Sequence, residues 1–416
     1  MKRVVVTGLG AVTPLGNSVQ EFWANLLAGK SGAGPITRFD AAKFKTRFAC
    51  EVKGFEAEAF LEKKESRKYD LFTQYAIAAS DEAILDAGLD FTKMPREQRH
   101  EVGVIWGSGN GGIGTFEEQL QGYHTGDGMP RFNPFFIPKM IVDIAAGVIS
   151  IRHQLYGPNY CTVSACASSN TAIINAFDTI RMGKATIMIA GGSEAAITAS
   201  SVGGFSAAQA LSKRNDDPAT ASRPFDQDRD GFVVGEGAGA LVLEEWEHAV
   251  RRNAPIYAEL VGGGMAGDAY HLTGTSPDGL GAVLGMERAL KDAQIRPEQI
   301  DYINAHATST GIGDLSELQG IKTVFGDRRV AISATKSMTG HLLGAAGAIE
   351  SIICVLSVKH DVIPPTINTQ QVDEQVPAGL NLVLGEAVSQ KVAYALNNTF
   401  GFGGHTASSI FKKYAE

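Results

Sequence analysis

Short β-branched segments alternate with helix-length stretches along the whole chain, and few architectures accommodate that pattern. Residues 3–7, 102–106, 187–190, 241–243, 258–261, 302–305, 330–333 and 393–396 read as strands bounded by turn residues. Strands separated by helices are joined by crossovers, so the sequence predicts an α/β protein with buried, parallel or mixed sheets. No linker, charge block or low-complexity stretch divides the chain. The polar segment 249–255 precedes a new strand and marks a midpoint between halves 1–250 and 251–416. Each half opens on a strand with glycines, continues through long helices and ends on a small-residue turn, "AGGSEA" near Gly191 and "FGFGGHTA" near Gly401. That inventory suggests a duplication.

The 416 residues suffice for two or three domains or one large duplicated unit, and the 48 glycines imply many tight turns and close backbone approaches. A net charge of -8 argues against a nucleic-acid binder, which normally carries a basic surplus. The opening "MKRVVVTGLG" has neither an apolar core nor a cleavage site, and no run of 18 apolar residues is evident. The expectation is a cytoplasmic protein with no membrane span. Four cysteines are too few and too scattered for a disulfide framework, and the Cys161 to Cys166 spacing is not that of a zinc pair. Reduced thiols and no metal site are expected.

Chemistry is suggested first by "TVSACASSN", residues 162–170, which sets Cys166 among small side chains. Apolar residues at Ala172, Ile173, Ala176, Phe177 and Ile180 predict a helix over 167–182, with Gly183 placed to end it. Cys166 then lies at a helix N-terminus, where free N–H groups and the helix dipole favour a thiolate of lowered pKa. The alternative is a cysteine packed as a small hydrophobe, the reading preferred for Cys50, Cys161 and Cys354. A nucleophilic thiol needs basic partners, which can be remote in sequence. "INAHATSTGIGD" places His306 at a strand end, followed by Thr308, Thr310 and Asp314. "SATKSMTGHLLGAAGAIE" places Lys336 after the next strand and His341 just before a helix starting near Leu342. Catalytic groups gather at such strand ends, although either histidine alone could be structural. "GSGNGG" matches the dinucleotide pattern Gly107-x-Gly109-x-x-Gly112, but the polar segment that follows lacks the second strand and its acidic end, so nicotinamide binding is disfavoured.

"ACASS" around Cys166, "NAHATST" around His306, "ATKSMTGHLLGAAGAIE" and "NTFGFGGH" resemble the β-ketoacyl-acyl carrier protein synthases, and among them the type II synthases of bacterial fatty-acid elongation. The likeness runs from "VVVTGLGAVTPLG" through "ASRPFDQDRDGFVVGEGAGALVLEE" to the "GFGG" turn. It implies the thiolase fold: two βαβαβαββ halves in a five-layered α-β-α-β-α arrangement, assembled as a homodimer. It implies decarboxylative condensation of a cysteine-bound acyl chain with malonyl-acyl carrier protein. Residue by residue, Cys166 matches the nucleophile, and His306 and His341 the pair that assist decarboxylation and hold the enolate. Lys336 matches a lysine that orders the site, with Glu350 as partner and Asp314 and Gly401 in support. Phe402 matches the gating phenylalanine whose N–H joins that of Cys166 in an oxyanion hole. Phe232, Thr308 and Thr310 match residues around the malonyl and pantetheine groups. No cofactor is implied, because the acyl groups arrive activated on the carrier's prosthetic arm.

The resemblance also implies an acidic carrier protein as partner. Lys63, Lys64, Arg67 and Lys68 in "EKKESRKYD" match its docking patch, with Arg131 as a possible extension, although such a run is also an ordinary solvated helix face. Several positions depart from the family pattern. Asn110 stands where an apolar residue usually lines the acyl pocket, often across the dimer interface, and an unpaired amide there costs about 1–3 kcal/mol. Ala307, the turn "GIGD", Gln209 and His405-Thr406 are further departures that remove no catalytic group. They leave open a specialised polyketide or polyene synthase acting on short or unsaturated chains. An inactive chain-length-factor subunit is disfavoured, since such subunits lack the nucleophile.

Overall fold

The computed structural model describes residues 1–415. Its first half contains β1 (Val4–Val12), α1 (Leu71–Asp86), β2 (Val102–Gly107), α2 (Ile144–His153), β3 (Asn159–Thr162), α3 (Ser168–Arg181), β4 (Ile187–Glu194) and β5 (Gly237–Glu245). The second contains β6 (Ala258–Gly267), α4 (Leu280–Ala293), β7 (Tyr302–Asn304), α5 (Gly311–Phe325), β8 (Ala331–Ser333), α6 (Ala346–His360), the added edge strand β9 (Asn381–Leu382), β10 (Tyr394–Gly401) and β11 (His405–Lys413). The strands form one hydrogen-bonded sheet in the order β9-β8-β7-β10-β11-β6-β1-β5-β4-β2-β3.

The duplication suggested by the sequence is explicit in this order. Outward from the centre, the first half runs β1, β5, β4, β2, β3 and the second β6, β11, β10, β7, β8. In both, the first two junctions are antiparallel and the next two parallel. The halves join where β1 pairs antiparallel with β6, Val4 opposite Leu260 and Val6 opposite Ala258.

Helices α3 and α6 touch strands of both halves, α1 and α2 cover the outside of the first, and α4 with α5 covers the outside of the second. That is the five-layered α-β-α-β-α arrangement. The central layer is packed closely enough to dictate residue type: a Cβ on Gly347 of α6 would lie 2.7 Å from the Cβ of Asn170 on α3. Helix α6 is buried along nearly its whole length, which explains its all-round apolar sequence. With the short turn before it, Leu343–His360 reaches a mean hydropathy of 1.4 over 18 residues, so the expectation that no stretch is long and apolar enough to cross a membrane is corrected. The window is 89% buried inside the protein, as a core helix is.

Strands β3 and β11 escaped the sequence reading. β3 lies at the sheet edge with Asn159 and Tyr160 exposed, so it carries no apolar pattern. β11 is buried but rich in serine, "HTASSIFKK".

Candidate active site

Cys166 is placed by a reversal between β3 and α3. Ala165 has φ 50°, a left-handed conformation unfavourable for a residue with a Cβ. The turn is held by N–H donation from Ala167 to the Ser164 carbonyl at 3.0 Å and from Ser168 to the Ala165 carbonyl at 3.1 Å. The Ser168 hydroxyl donates to the Ala165 carbonyl at 2.6 Å and accepts from Ser164 N–H at 2.9 Å. The second half repeats the device: Leu343, also at φ 50°, stands as far ahead of α6 as Ala165 does of α3. Equivalent turns of the two halves thus bring Cys166 and the His341 segment together.

A cavity of about 370 Å³ opens here, lined by Cys166, His306, His341, Phe232, Thr308, Thr310, Leu343 and Phe402 among others. A larger open groove of about 1400 Å³, lined by Trp23, Tyr257 and His360, contains no cysteine. The rings of His306 and His341 stand nearly perpendicular, with centroids 5.2 Å apart. Phe232 meets His341 edge to face at 5.3 Å, and Phe400 meets His306 at 5.5 Å. Burial, with Lys336 close by, drives both imidazoles well below the usual histidine range. Both are therefore neutral at pH 7, and neither Nδ1 has a hydrogen-bond partner. The Thr308 and Thr310 hydroxyls lie 3.1 Å apart.

The thiolate expected from the helix terminus is not what the structure gives. Burial pushes the Cys166 thiol up to about 12 and Glu194 adds to the rise, while Lys336 and the N–H groups of Phe402 and of Cys166 itself oppose it. Desolvation of the charged form outweighs the helix terminus, so the resting residue is a thiol that must lose its proton to a neighbour. Gly401 lets the Phe402 turn approach: a Cβ there would lie 2.6 Å from the Ser164 carbonyl oxygen and 3.0 Å from the Cys166 nitrogen.

Lys336 and Glu350 form a hydrogen-bonded ion pair, 1% and 3% exposed. Burial raises the Glu350 carboxyl to about 7 against the opposing pull of Lys336. Lys336→Met leaves this carboxyl without its cation and is expected to cost about 3–5 kcal/mol. Because the folded-state value lies above the ordinary 4.5, folding binds a proton, and stability falls as pH rises from about 4.5 through 7. Denaturant unfolding of the variant should therefore show a larger deficit at pH 8 than at pH 5.

Two carboxylates of α5 pin the His306 loop. Asp314 accepts N–H groups of Ser309 at 3.1 Å, Thr310 at 3.2 Å and Phe225 at 3.0 Å, and burial lifts it to about 6. Glu317, which the sequence reading missed, accepts from His306 N–H at 2.9 Å, Ala307 N–H at 2.8 Å and the Asn398 amide at 3.2 Å. Its place one helical turn after Asp314 was the available signal. Glu194 was also missed. The "GSGNGG" turn wraps its carboxylate, with N–H donation from Gly109 at 2.8 Å and Asn110 at 3.0 Å, so a side chain of this chain fills the turn that matches the dinucleotide pattern. Asn110 meets the site through this backbone contact and is not among the residues around the cavity.

The expected docking residues Lys63, Lys64, Arg67 and Lys68 are all exposed. The Lys68 ammonium sits 6.0 Å over the Phe135 ring, which joins this patch to the segment carrying Arg131. Arg131 is exposed and paired with Asp127 at 3.0 Å. Among the described residues, no cluster of three or more His, Cys, Asp or Glu could hold a metal ion.

Comparison with known proteins identifies the family. The family models described as beta-ketoacyl synthase, N-terminal domain and C-terminal domain match residues 1–249 and 257–370. The 3-oxoacyl-[acyl-carrier-protein] synthase 2 of Synechocystis sp. is 49% identical over 415 residues, 99% of this chain and 98% of that protein. Two solved structures superpose over the full length of both chains: the ishigamide ketosynthase/chain length factor, with a TM-score of 0.93 and 35% identity, and the type II polyketide ketosynthase AntDE in complex with its acyl-carrier protein AntF, with a TM-score of 0.89 and 33% identity. A cysteine at a strained turn, two neutral histidines and a full-length match at this identity lead to one conclusion: the chain belongs to the β-ketoacyl synthase family and catalyses an acyl-elongating condensation.

Proposed function

We propose that Cys166, His306 and His341 divide the condensation between them. The observation that carries this reading is the convergence on one cavity of a thiol, two neutral imidazoles and the N–H groups of Cys166 and Phe402. The Cys166 sulfur attacks the thioester carbonyl of the acyl carrier while its proton passes to a neutral imidazole. The two N–H groups receive the oxyanion. Collapse of the tetrahedral intermediate expels the pantetheine thiolate, which takes up the proton and leaves an acyl-cysteine. Malonyl carrier then loses CO₂, and its electron pair becomes an enolate held by the two imidazoles. The enolate carbon attacks the acyl-cysteine carbonyl, and cleavage of the carbon–sulfur bond releases the β-ketoacyl carrier and the Cys166 thiolate, which takes a proton from solvent to restore the thiol. Neutral histidines suit this sequence, since one can accept a proton and both can donate an N–H. Lys336 and Glu350 order the pair, Thr308 and Thr310 hold the pantetheine arm, and no cofactor is needed because both substrates arrive as thioesters. The reading is tested by purified enzyme, acyl carrier and malonyl carrier alone: β-ketoacyl carrier and one CO₂ per turnover are expected, and CO₂ without the condensed product would refute it.

The partner that delivers these thioesters is an acyl carrier protein docking on Lys63, Lys64, Arg67 and Lys68. A surface this basic on a chain of net charge -8 suits an acidic partner. Reversing all four residues to glutamate is expected to raise the KM for the carrier at least about tenfold, most steeply at low salt, with kcat little changed. An unchanged KM in low salt would place docking elsewhere. A second copy of the chain is the proposed assembly partner. The edge of β3 is unpaired, and Tyr160 on it and Val163 just after it are exposed, so pairing with the same edge of a second copy would cover them.

A second reading, a specialised polyketide or polyene synthase, is favoured by the likeness to the ishigamide and type II polyketide ketosynthases. The acyl carriers accepted, short and unsaturated against long and saturated, decide between the two.

A further inference from the structure

Glu194 ends β4 with a fully buried side chain that takes no part in the chemistry above. Four donors converge on it from two distant turns. Ser108 Oγ at 3.2 Å and the N–H groups of Gly109 at 2.8 Å and Asn110 at 3.0 Å come from the turn after β2. The N–H of Gly344, at 3.0 Å, comes from the turn after His341. Three of the four are backbone N–H groups, which can only donate, and they favour a carboxylate against the burial that raises it. Both turns are glycine where it enters: a Cβ on Gly109 would lie 2.9 Å, and one on Gly344 2.6 Å, from its Oε2. The same point beside Gly109 is 3.7 Å from the carbonyl oxygen of Ala165, the residue before the nucleophile. Two turns therefore meet at a single carboxylate, and the turn carrying Cys166 passes close beside Gly109 of one of them.

These turns hold the apolar surface beside the nucleophile. Cys166 and Ile113 each pack against the buried cluster that contains Leu343 and Phe232, and Leu343, Phe205 and Phe232 line the same cavity as Cys166. Leu343 has φ 50°, a conformation that persists only under restraint from its surroundings, and the Gly344 N–H bonded to Glu194 is such a restraint on the adjoining peptide. We propose, resting on the reading that Cys166 carries the acyl chain, that Glu194 is the positioning residue of acyl loading. By clamping the 108–110 turn to the 343–344 turn, it fixes Leu343 in the wall of the cavity into which the chain on Cys166 extends. The imidazoles have their own backbone anchors: His341 N–H donates to the Val233 carbonyl at 2.7 Å and its carbonyl accepts from Gly235 N–H at 2.8 Å, while His306 N–H donates to Glu317 at 2.9 Å.

Glu194→Gln keeps the shape but points an amide N–H₂ at backbone donors, so at least one of them loses its acceptor. In the folded variant, acylation of Cys166 by a long-chain acyl carrier, followed by intact mass, is expected to slow about 10- to 100-fold. Malonyl decarboxylation should stay at the wild-type rate. Loss of the negative charge should also move the pH dependence of Cys166 alkylation by iodoacetamide to lower pH, a change that a purely structural role would not produce. Should Glu194→Gln fail to fold, Gly109→Ala displaces the carboxylate without removing its charge, and slowed acylation with normal decarboxylation is again expected. Unchanged acylation in the folded variant tested, or equal loss of acylation and decarboxylation, overturns the proposal. A wild-type enzyme that takes no acyl group on Cys166 refutes instead the reading on which it rests.

Discussion

Cys166→Gln is expected to abolish condensation, by at least about 10⁴-fold, while malonyl decarboxylation continues or accelerates. The loss follows because no other cysteine lines the cavity, so no second thiol is placed to accept the chain. Retained decarboxylation follows because the machinery for that step, the two histidines and the threonines of the His306 loop, is positioned by other elements. His306 is fixed through Glu317 and its loop through Asp314, both on α5. A neutral carboxamide also presents a carbonyl near the Phe402 N–H, as an acylated cysteine would. Condensation is read as β-ketoacyl carrier formed and decarboxylation as CO₂ released from malonyl carrier. Product formed by Cys166→Gln at more than a trace would remove Cys166 from the mechanism.

The second large effect concerns the histidines. His306→Ala and His341→Ala should each slow decarboxylation about 10²- to 10³-fold, because each removes a preorganised N–H facing the developing enolate. The two changes together should cost less than the product of the single effects, since both groups stabilise one charge. The buried setting adds a pH signature. Both imidazoles are depressed well below 6.5 and stay neutral as pH falls through the ordinary histidine range. Decarboxylation by Cys166→Gln should therefore be flat from pH 8 down past 6.5, losing activity only at more acidic pH. A titration centred near 6.5 would mean that the histidines are solvated and that the electrostatic picture of the cavity is wrong.

Much of this site was legible because its groups sit where local patterns are strong. Cys166 precedes a helix with clear three-four spacing, His306 ends a β-branched strand, and Lys336 and His341 fall in a run of small residues between strand and helix. The fold class followed from the alternation of elements, and the duplication from similar inventories, although only the shared strand order establishes it. What remained hidden depends on distant packing. Glu194 reads as an ordinary strand end, and its partners lie in turns far away along the chain. Glu317 reads as a solvent-facing helix residue and is fully enclosed. The state of Cys166 was misjudged for the same reason: a helix N-terminus is visible in sequence, whereas the burial that outweighs it is not.

The most direct test of the account is the intact mass of the enzyme after incubation with acyl carriers of graded length and saturation, with Cys166→Ala as reference. The account expects one acyl group per chain on the wild type, localised to the peptide bearing Cys166, and none on the variant. Equal labelling of both proteins, or a label on Cys50, Cys161 or Cys354, would contradict it.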